Sequence, residues 1–255
     1  MLKKSILDDI EKYVVFYGYD SEQALMDYEL LILEPKAHSQ KSLCILKDVG
    51  KVLIAYISVI EISKDDECFS ELGNDCLISI NGDLAVNPEY QTYYMDITQE
   101  KVKNILLRRA SAYLKSGYDG IFIDTIGNLD YFNSPYIDKD ELYNSAAVFL
   151  SEVKMLFPSC VIIQNNGFLG LSDYTAKYID AICFENPPLS TMGNLLWTYS
   201  AIKRINEIKK EHNLKVLLLE EDIYNKNSLM HFIVHKIVKK IGWLYYKGSK
   251  YYNHI

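Results

Sequence analysis

Two apolar runs of this chain end in carboxylic acids: GIFID closes on Asp124 and AICFE on Glu185. Taking a carboxylate out of water is costly or shifts its pKa, so packing alone does not set an acid at the end of a buried run. Parallel sheets build their sites at the C-terminal ends of strands. Two acids there supply a proton donor together with a base or nucleophile, the pair that cleavage of a glycosidic bond requires. Asp124 and Glu185 are therefore the candidate catalytic residues.

Other strand ends carry hydrogen-bonding side chains, and Tyr17, Tyr56, Ser58, Glu61, Asn165, Asn166 and Glu220 are the expected substrate contacts. The period of two in a strand sends Asn165 and Asn166 to opposite faces, so one of them faces ligand. Glu61 has two equal readings, a sugar contact or an anchor for the segment after it. The chain has no Gly-rich phosphate loop, no GxSxG elbow and no CxxC pair, which removes the common nucleotide, serine-hydrolase and structural-zinc readings. His231 and His235 have the spacing of a metal pair but lack the glutamate of HExxH and fall on an outer helix. No metal and no cofactor is expected. Two other readings stand beside the hydrolase: a carbohydrate-binding barrel without turnover, and a magnesium-dependent lyase or aldolase using Glu185 with Glu220 or Asp222.

The elements that must position these groups are eight short apolar runs, at 13–19, 30–35, 51–61, 120–126, 161–167, 181–187, 215–222 and 243–248. Most are continuously apolar, the pattern of strands covered on both faces. Helical stripes lie between them, in 100–117 (Val102, Leu106, Ala110, Tyr113), 194–212 (Leu195, Tyr199, Ile202, Ile205, Ile208) and 226–241 (Leu229, Ile233, Ile237, Ile241). Strand and helix in alternation over 255 residues predict an α/β fold, a (β/α)8 TIM barrel forming a single domain over 1–255. The long segment at about 62–92 is an insertion leaving the end of the third strand, expected over the catalytic face.

Composition narrows the partners. A net charge of −7 and a pI near 5.3 argue against nucleic acid, whose phosphates need a basic face. The longest apolar stretch, at 52–60, is too short to span a bilayer, so no membrane partner is expected. The opening MLKKSILDDIEK has no apolar core of a signal peptide, which reads as cytoplasmic unless a leader has been removed. Cys44, Cys160 and Cys183 read as core residues, and Cys68 and Cys76 lie in a polar loop where an oxidising compartment could bridge them.

Taken in order, FYGYD, AYISVIE, YYMDI, GYDGIFIDT, IIQNNG and CFEN resemble the barrels of glycoside hydrolase family 114, endo-α-1,4-polygalactosaminidases. The resemblance runs from about residue 13 to 187 and is weaker through the last two strands. It implies a (β/α)8 fold, a polysaccharide or oligosaccharide substrate of α-1,4-linked galactosamine, and an acidic pair that falls here on Asp124 and Glu185. The chain departs from the family pattern at Ile60, where glycine is expected before Glu61, and at Asn186, Pro187 and Pro188 after Glu185.

Overall fold

Runs of branched aliphatic residues, apolar on both faces, form the staves of a parallel barrel. In the computed structural model, residues 5–19, 22–132, 138–189, 191–222 and 228–255 are described, with the backbone alone for 228–231. The strands are β1 (Tyr13–Phe16), β2 (Leu30–Leu33), β3 (Val52–Ser58), β4 (Gly120–Asp124), β5 (Val161–Asn165), β6 (Ala181–Glu185), β7 (Lys215–Glu221) and β8 (Leu244–Gly248). They hydrogen-bond in parallel in chain order. β8 lies against β1, where the rings of Tyr13 and Tyr246 meet at 5.8 Å and the Tyr13 hydroxyl reaches the Leu218 carbonyl at 2.6 Å. Every residue of β1 and β2 is buried, as the unbroken apolar runs require.

Helices cover the outside: α1 (Gln40–Asp48), α2 (Glu100–Lys115), α3 (Lys139–Leu156), α4 (Met192–His212) and α5 (Ser228–Lys240). Side-chain oxygens of Ser39, Asp138 and Thr191 cap the starts of α1, α3 and α4, satisfying N–H groups that a helix leaves open. The stripes expected on the last two helices are shifted. On α4 it is Thr198, not Tyr199, that turns inward beside Ile202, Ile205 and Ile208. On α5, Val234 and Val238 are buried while Ile233 is exposed; residues 226–227 and the side chains of Leu229 and His231 lie outside the described residues. With Val as well as Ile on α5, two faces were apolar, and contact with the barrel chose between them. Cys44 is exposed on α1 rather than in the core, and Cys68 and Cys76 are both buried free thiols.

The segment after β3 is built, not loose. Glu61–Ile62, Val86–Asn87 and Thr92–Tyr94 make a three-stranded antiparallel sheet, and Ser79–Ile80 with Asp83–Leu84 a small hairpin. No helix among the described residues is long and apolar enough to cross a membrane.

Acids also close the opposite rim, and there they serve the backbone. Asp119 accepts from the Leu53 N–H at 2.9 Å and pairs with Lys47; Asp180 accepts from the Ile162 N–H at 2.8 Å and from Lys154 at 2.6 Å. Each tethers a neighbouring strand at its entry. Asp119→Ala strands the Leu53 N–H and is expected to lower unfolding free energy by about 1–3 kcal/mol in urea titrations, with catalytic rate unchanged because the residue lies at the far end of the barrel.

Candidate active site

Register decides which strand-end side chains share a cavity. Ser58 is level with Asp124, Tyr56 with Phe122, Asn165 with Cys183, and Glu185 with Leu219. Residues level across a ladder, and those two apart along a strand, share a face. Tyr56, Ser58, Asp124, Asn165, Glu185 and Glu221 therefore all point into the top of the barrel. They line a cleft of about 740 Å³ together with Tyr17, Glu34, Asp66, Arg109 and residues of the insertion.

Asn165 joins the two acids. Its Nδ2 donates to Asp124 Oδ1 at 2.6 Å and to Glu185 Oε2 at 2.6 Å. Two such bonds from one nitrogen hold the accepting oxygens no more than 5.2 Å apart (2 × 2.6 Å). The remaining oxygens are also bonded: the Tyr56 hydroxyl donates to Asp124 Oδ2 at 2.9 Å, and the Tyr252 hydroxyl to Glu185 Oε1 at 2.7 Å. Burial, and after it the negative charge of Asp124, pushes the Glu185 carboxyl up to about 7, against the lowering effect of its bonds from Asn165 and Tyr252. Burial, with the acid charges adding to it, pushes the Tyr17, Tyr56 and Tyr252 phenols well above their ordinary range, so all three remain protonated.

A shared backbone device presents these groups. Asp124, Asn165 and Glu185 are each followed by a residue in left-handed conformation, Thr125 (φ 62°), Asn166 (φ 56°) and Asn186 (φ 48°). Thr125 Oγ1 accepts from the Ile60 N–H at 2.9 Å, Asn166 Oδ1 from the Glu185 N–H at 3.1 Å, and Asn186 Oδ1 from the Glu221 N–H at 2.8 Å. A β-branched residue such as Thr125 rarely adopts this conformation unless its surroundings enforce it. The local advantage is a sharp turn that fixes the preceding side chain and ties each strand end to a neighbour.

The expected contacts divide. Tyr17 and Tyr56 line the cleft with rings 4.8 Å apart. Ser58 donates to the Glu61 carbonyl at 2.7 Å. Glu61 lines the cleft wall but is almost fully buried, accepting from Asn128 after β4 at 2.6 Å and, within the insertion, from Asn87 at 3.1 Å and the Thr92 hydroxyl. Asn166 reaches the cleft wall through its turn. Glu220 points to the outside and accepts from the Tyr245 hydroxyl at 2.8 Å; Glu221, one residue later, lines the cleft. The lyase alternative needed Glu220 or Asp222 beside Glu185, and Asp222 instead pairs with Lys247. His235 packs against Tyr245 with ring centroids 4.4 Å apart, and among the described residues no group of three His, Cys, Asp or Glu is arranged to hold a metal.

Glu34, Asp66, Arg109 and the C-terminal Tyr251, Tyr252 and Asn253 also line the cleft. The period of two on β7 puts Glu220 and Glu221 on opposite faces, and the register against β6 and β8 turns Glu221 inward. The C-terminal residues had no such signal, since they follow the last strand.

A parallel (β/α)8 barrel with an acid-lined cleft at the C-terminal rim is the build of the barrel glycoside hydrolases. The chain belongs to the glycoside-hydrolase family GH114, whose family model matches residues 12–187. The glycoside hydrolase domain of PelA from Pseudomonas aeruginosa superposes with a TM-score of 0.75 at 16% identity, over 95% of this chain and 96% of that one. Ega3 of Aspergillus fumigatus, solved in complex with galactosamine, gives 0.76 at 13% identity over 99% and 97%. The α-galactosidase TtGalA of Thermus thermophilus, at 10% identity, gives 0.64 over 96% of this chain and 58% of its own. What these structures share with this chain is the fold. No curated protein matches the chain.

The raised Glu185 carboxyl has a consequence for stability. Its folded-state pKa lies above the unfolded value of 4.5, so the contribution is fully present below that value and is lost as pH rises towards 7. Glu185→Gln cannot ionise. The variant should gain on the wild type by on the order of 1–3 kcal/mol between pH 5 and pH 8, read as a widening difference in thermal midpoint; a gap independent of pH would contradict the raised value.

Proposed function

We propose that the protein is an endo-acting glycosidase of α-1,4-linked galactosamine polymers, with Glu185 as acid–base and Asp124 as nucleophile, and that it retains anomeric configuration. The observation that carries this reading is the single Asn165 nitrogen bonded to both carboxylates. Retaining enzymes keep their carboxyl groups about 5–5.5 Å apart, whereas inverting ones need roughly 6.5–9.5 Å to admit a water. The bound of 5.2 Å (2 × 2.6 Å) on the two bridged oxygens agrees with the first class.

In this mechanism protonated Glu185 gives its proton to the bridging oxygen as the bond to the anomeric carbon breaks. The Asp124 carboxylate attacks that carbon and forms a glycosyl ester. Glu185, now a carboxylate, takes a proton from water while the water oxygen displaces Asp124, which restores both acids. A carboxyl near 7 suits a group that must both give and take a proton at neutral pH. The Tyr56 and Asn165 donors hold both Asp124 oxygens, and they can follow its charge as it falls and returns.

The substrate assignment draws on the family and on charge. Glu34, Asp66 and Glu221 add to the acidic pair in the cleft, and the Arg109 guanidinium there is already paired with Asp66 at 2.6 Å. Such a field favours a cationic polymer, as free amino sugars are at neutral pH. Ega3, with the same fold, was solved with galactosamine bound.

Purified protein should shorten α-1,4-galactosaminoglycan, and Asp124→Asn or Glu185→Gln should each lower turnover at least about 10²–10⁴-fold with the fold intact. Full activity in either variant would sink the pair, and tight oligosaccharide binding without new reducing ends would mark a binding barrel. Proton NMR of the first-formed product should show the α-anomer; a β-anomer would rule out retention.

A further inference from the structure

Beyond β8 the chain turns back over the cleft. Lys250–Tyr252 form a short turn in which Tyr251 (φ 58°) and Tyr252 (φ 53°) are both left-handed, a conformation that two successive L-residues avoid unless they are held there. Three backbone ties hold them: the Tyr17 N–H donates to the Tyr252 carbonyl at 2.8 Å, the Tyr252 N–H to the Ser249 carbonyl at 2.9 Å, and the Tyr251 N–H to the Glu221 carboxylate. The first crosses the seam between β8 and β1, so this hook helps to close the barrel at its catalytic end. Space is reserved for it on both sides. A Cβ on Gly248 would meet the Tyr252 ring at 2.5 Å, and one on Gly18 would meet the Asn253 carbonyl oxygen at 2.3 Å.

The buried tip of the hook is the Tyr252 hydroxyl, donating to Glu185 Oε1 at 2.7 Å, with the ring edge-on to Tyr17 at 5.7 Å. We propose that Tyr252 is a positioning residue for the proposed acid–base: the C-terminal hook orients the Glu185 carboxyl and sets the pH at which it releases its proton. This rests on the functional reading above, but it concerns residues outside the 12–187 match that defines the family.

The surroundings of Glu185 make the sign definite. Asp124 from β4 and Glu221 from β7 both favour its protonated form. Tyr13 and Tyr17 from the β1 side, Tyr56 from β3 and Cys183 on its own strand are all raised by burial first, so none of them brings a competing charge near neutrality. Among the described residues the donors to the carboxylate are the Asn165 amide and the Tyr252 hydroxyl. Losing one of two donors leaves the ionised form less satisfied and must raise the pKa.

Tyr252→Phe keeps the ring against Tyr17 and removes the hydroxyl alone. Glu185 can be followed directly through the side-chain carboxyl ¹³C shift of glutamate-labelled protein, assigned by its loss in Glu185→Gln. The titration midpoint should rise by about one pH unit in Tyr252→Phe, a tenfold change in proton affinity. If the wild type cleaves polymer, the basic limb of its pH–rate profile should move up with it, and kcat should fall with KM little changed. An unmoved or lowered midpoint overturns the proposal. Because the titration needs no substrate, an inactive wild type would count against the function while leaving this reading to be decided by NMR. If Tyr252→Phe fails to fold, the same midpoint is read in Gly18→Ala, whose methyl group meets the Asn253 carbonyl and the Phe16 ring and so displaces the hook while substituting no residue that lines the cleft; no rise there overturns it equally.

Discussion

The amide of Asn165 is the contact on which the site turns. Two carboxylates this close, in a half-buried cleft, repel each other if both are ionised, and the usual outcome is one proton held by the pair. The amide offsets part of that repulsion by donating to both acids from one nitrogen. Its own carbonyl oxygen is left buried without a partner among the described residues. An orphan acceptor of this kind costs stability. Turning the amide over would satisfy nothing, since it would aim lone pairs at two acids. The site thus accepts a local penalty to keep two carboxyl groups side by side.

The same trade runs through the backbone. Thr125, Asn166 and Asn186 hold left-handed conformations directly after Asp124, Asn165 and Glu185, and each binds an N–H of a neighbouring strand end. Strain of this sort persists only where the surrounding structure over-determines it. Here the barrel ladder fixes one side of each turn and the side-chain bond fixes the other. Gly127 completes the arrangement: a Cβ there would meet the Asn166 Cβ at 2.7 Å, so only glycine lets the turn after β4 approach the turn after β5.

Acids at the two ends of the barrel do different work for a physical reason. At the entry rim Asp119, Asp180 and Glu29 face backbone N–H groups of the adjoining strand. Their charge is absorbed by fixed donors, with Lys47 and Lys154 adding to the first two. At the exit rim the acids face a cavity: Asp124 and Glu185 accept from the side chains of Tyr56, Asn165 and Tyr252, and Glu221 from the Tyr251 N–H. Charge left available in a cleft is what a cationic ligand can meet. The insertion after β3 belongs to this end, and Glu61 acts inside it, gathering Asn87, Thr92 and Asn128 so that the cleft wall keeps its shape.

Much of this could be read from the order of residues. Eight short apolar runs, most of them continuous, became β1 to β8, because a strand covered on both faces has no other way to satisfy its side chains. Acids ending two of those runs had to emerge at the exit rim, so Asp124 and Glu185 were visible as a pair without coordinates. Face and distance were not visible. Glu220 and Glu221 are adjacent and identical in type, and only the register of β7 against β6 and β8 sends the second inward. Tyr252 follows the last strand in a stretch with no periodicity, and it meets Glu185, 67 residues earlier, only because the closed ring brings β8 beside β1. Local sequence sets what each strand presents at its end; closure of the barrel, a property of all eight together, decides which of those groups meet.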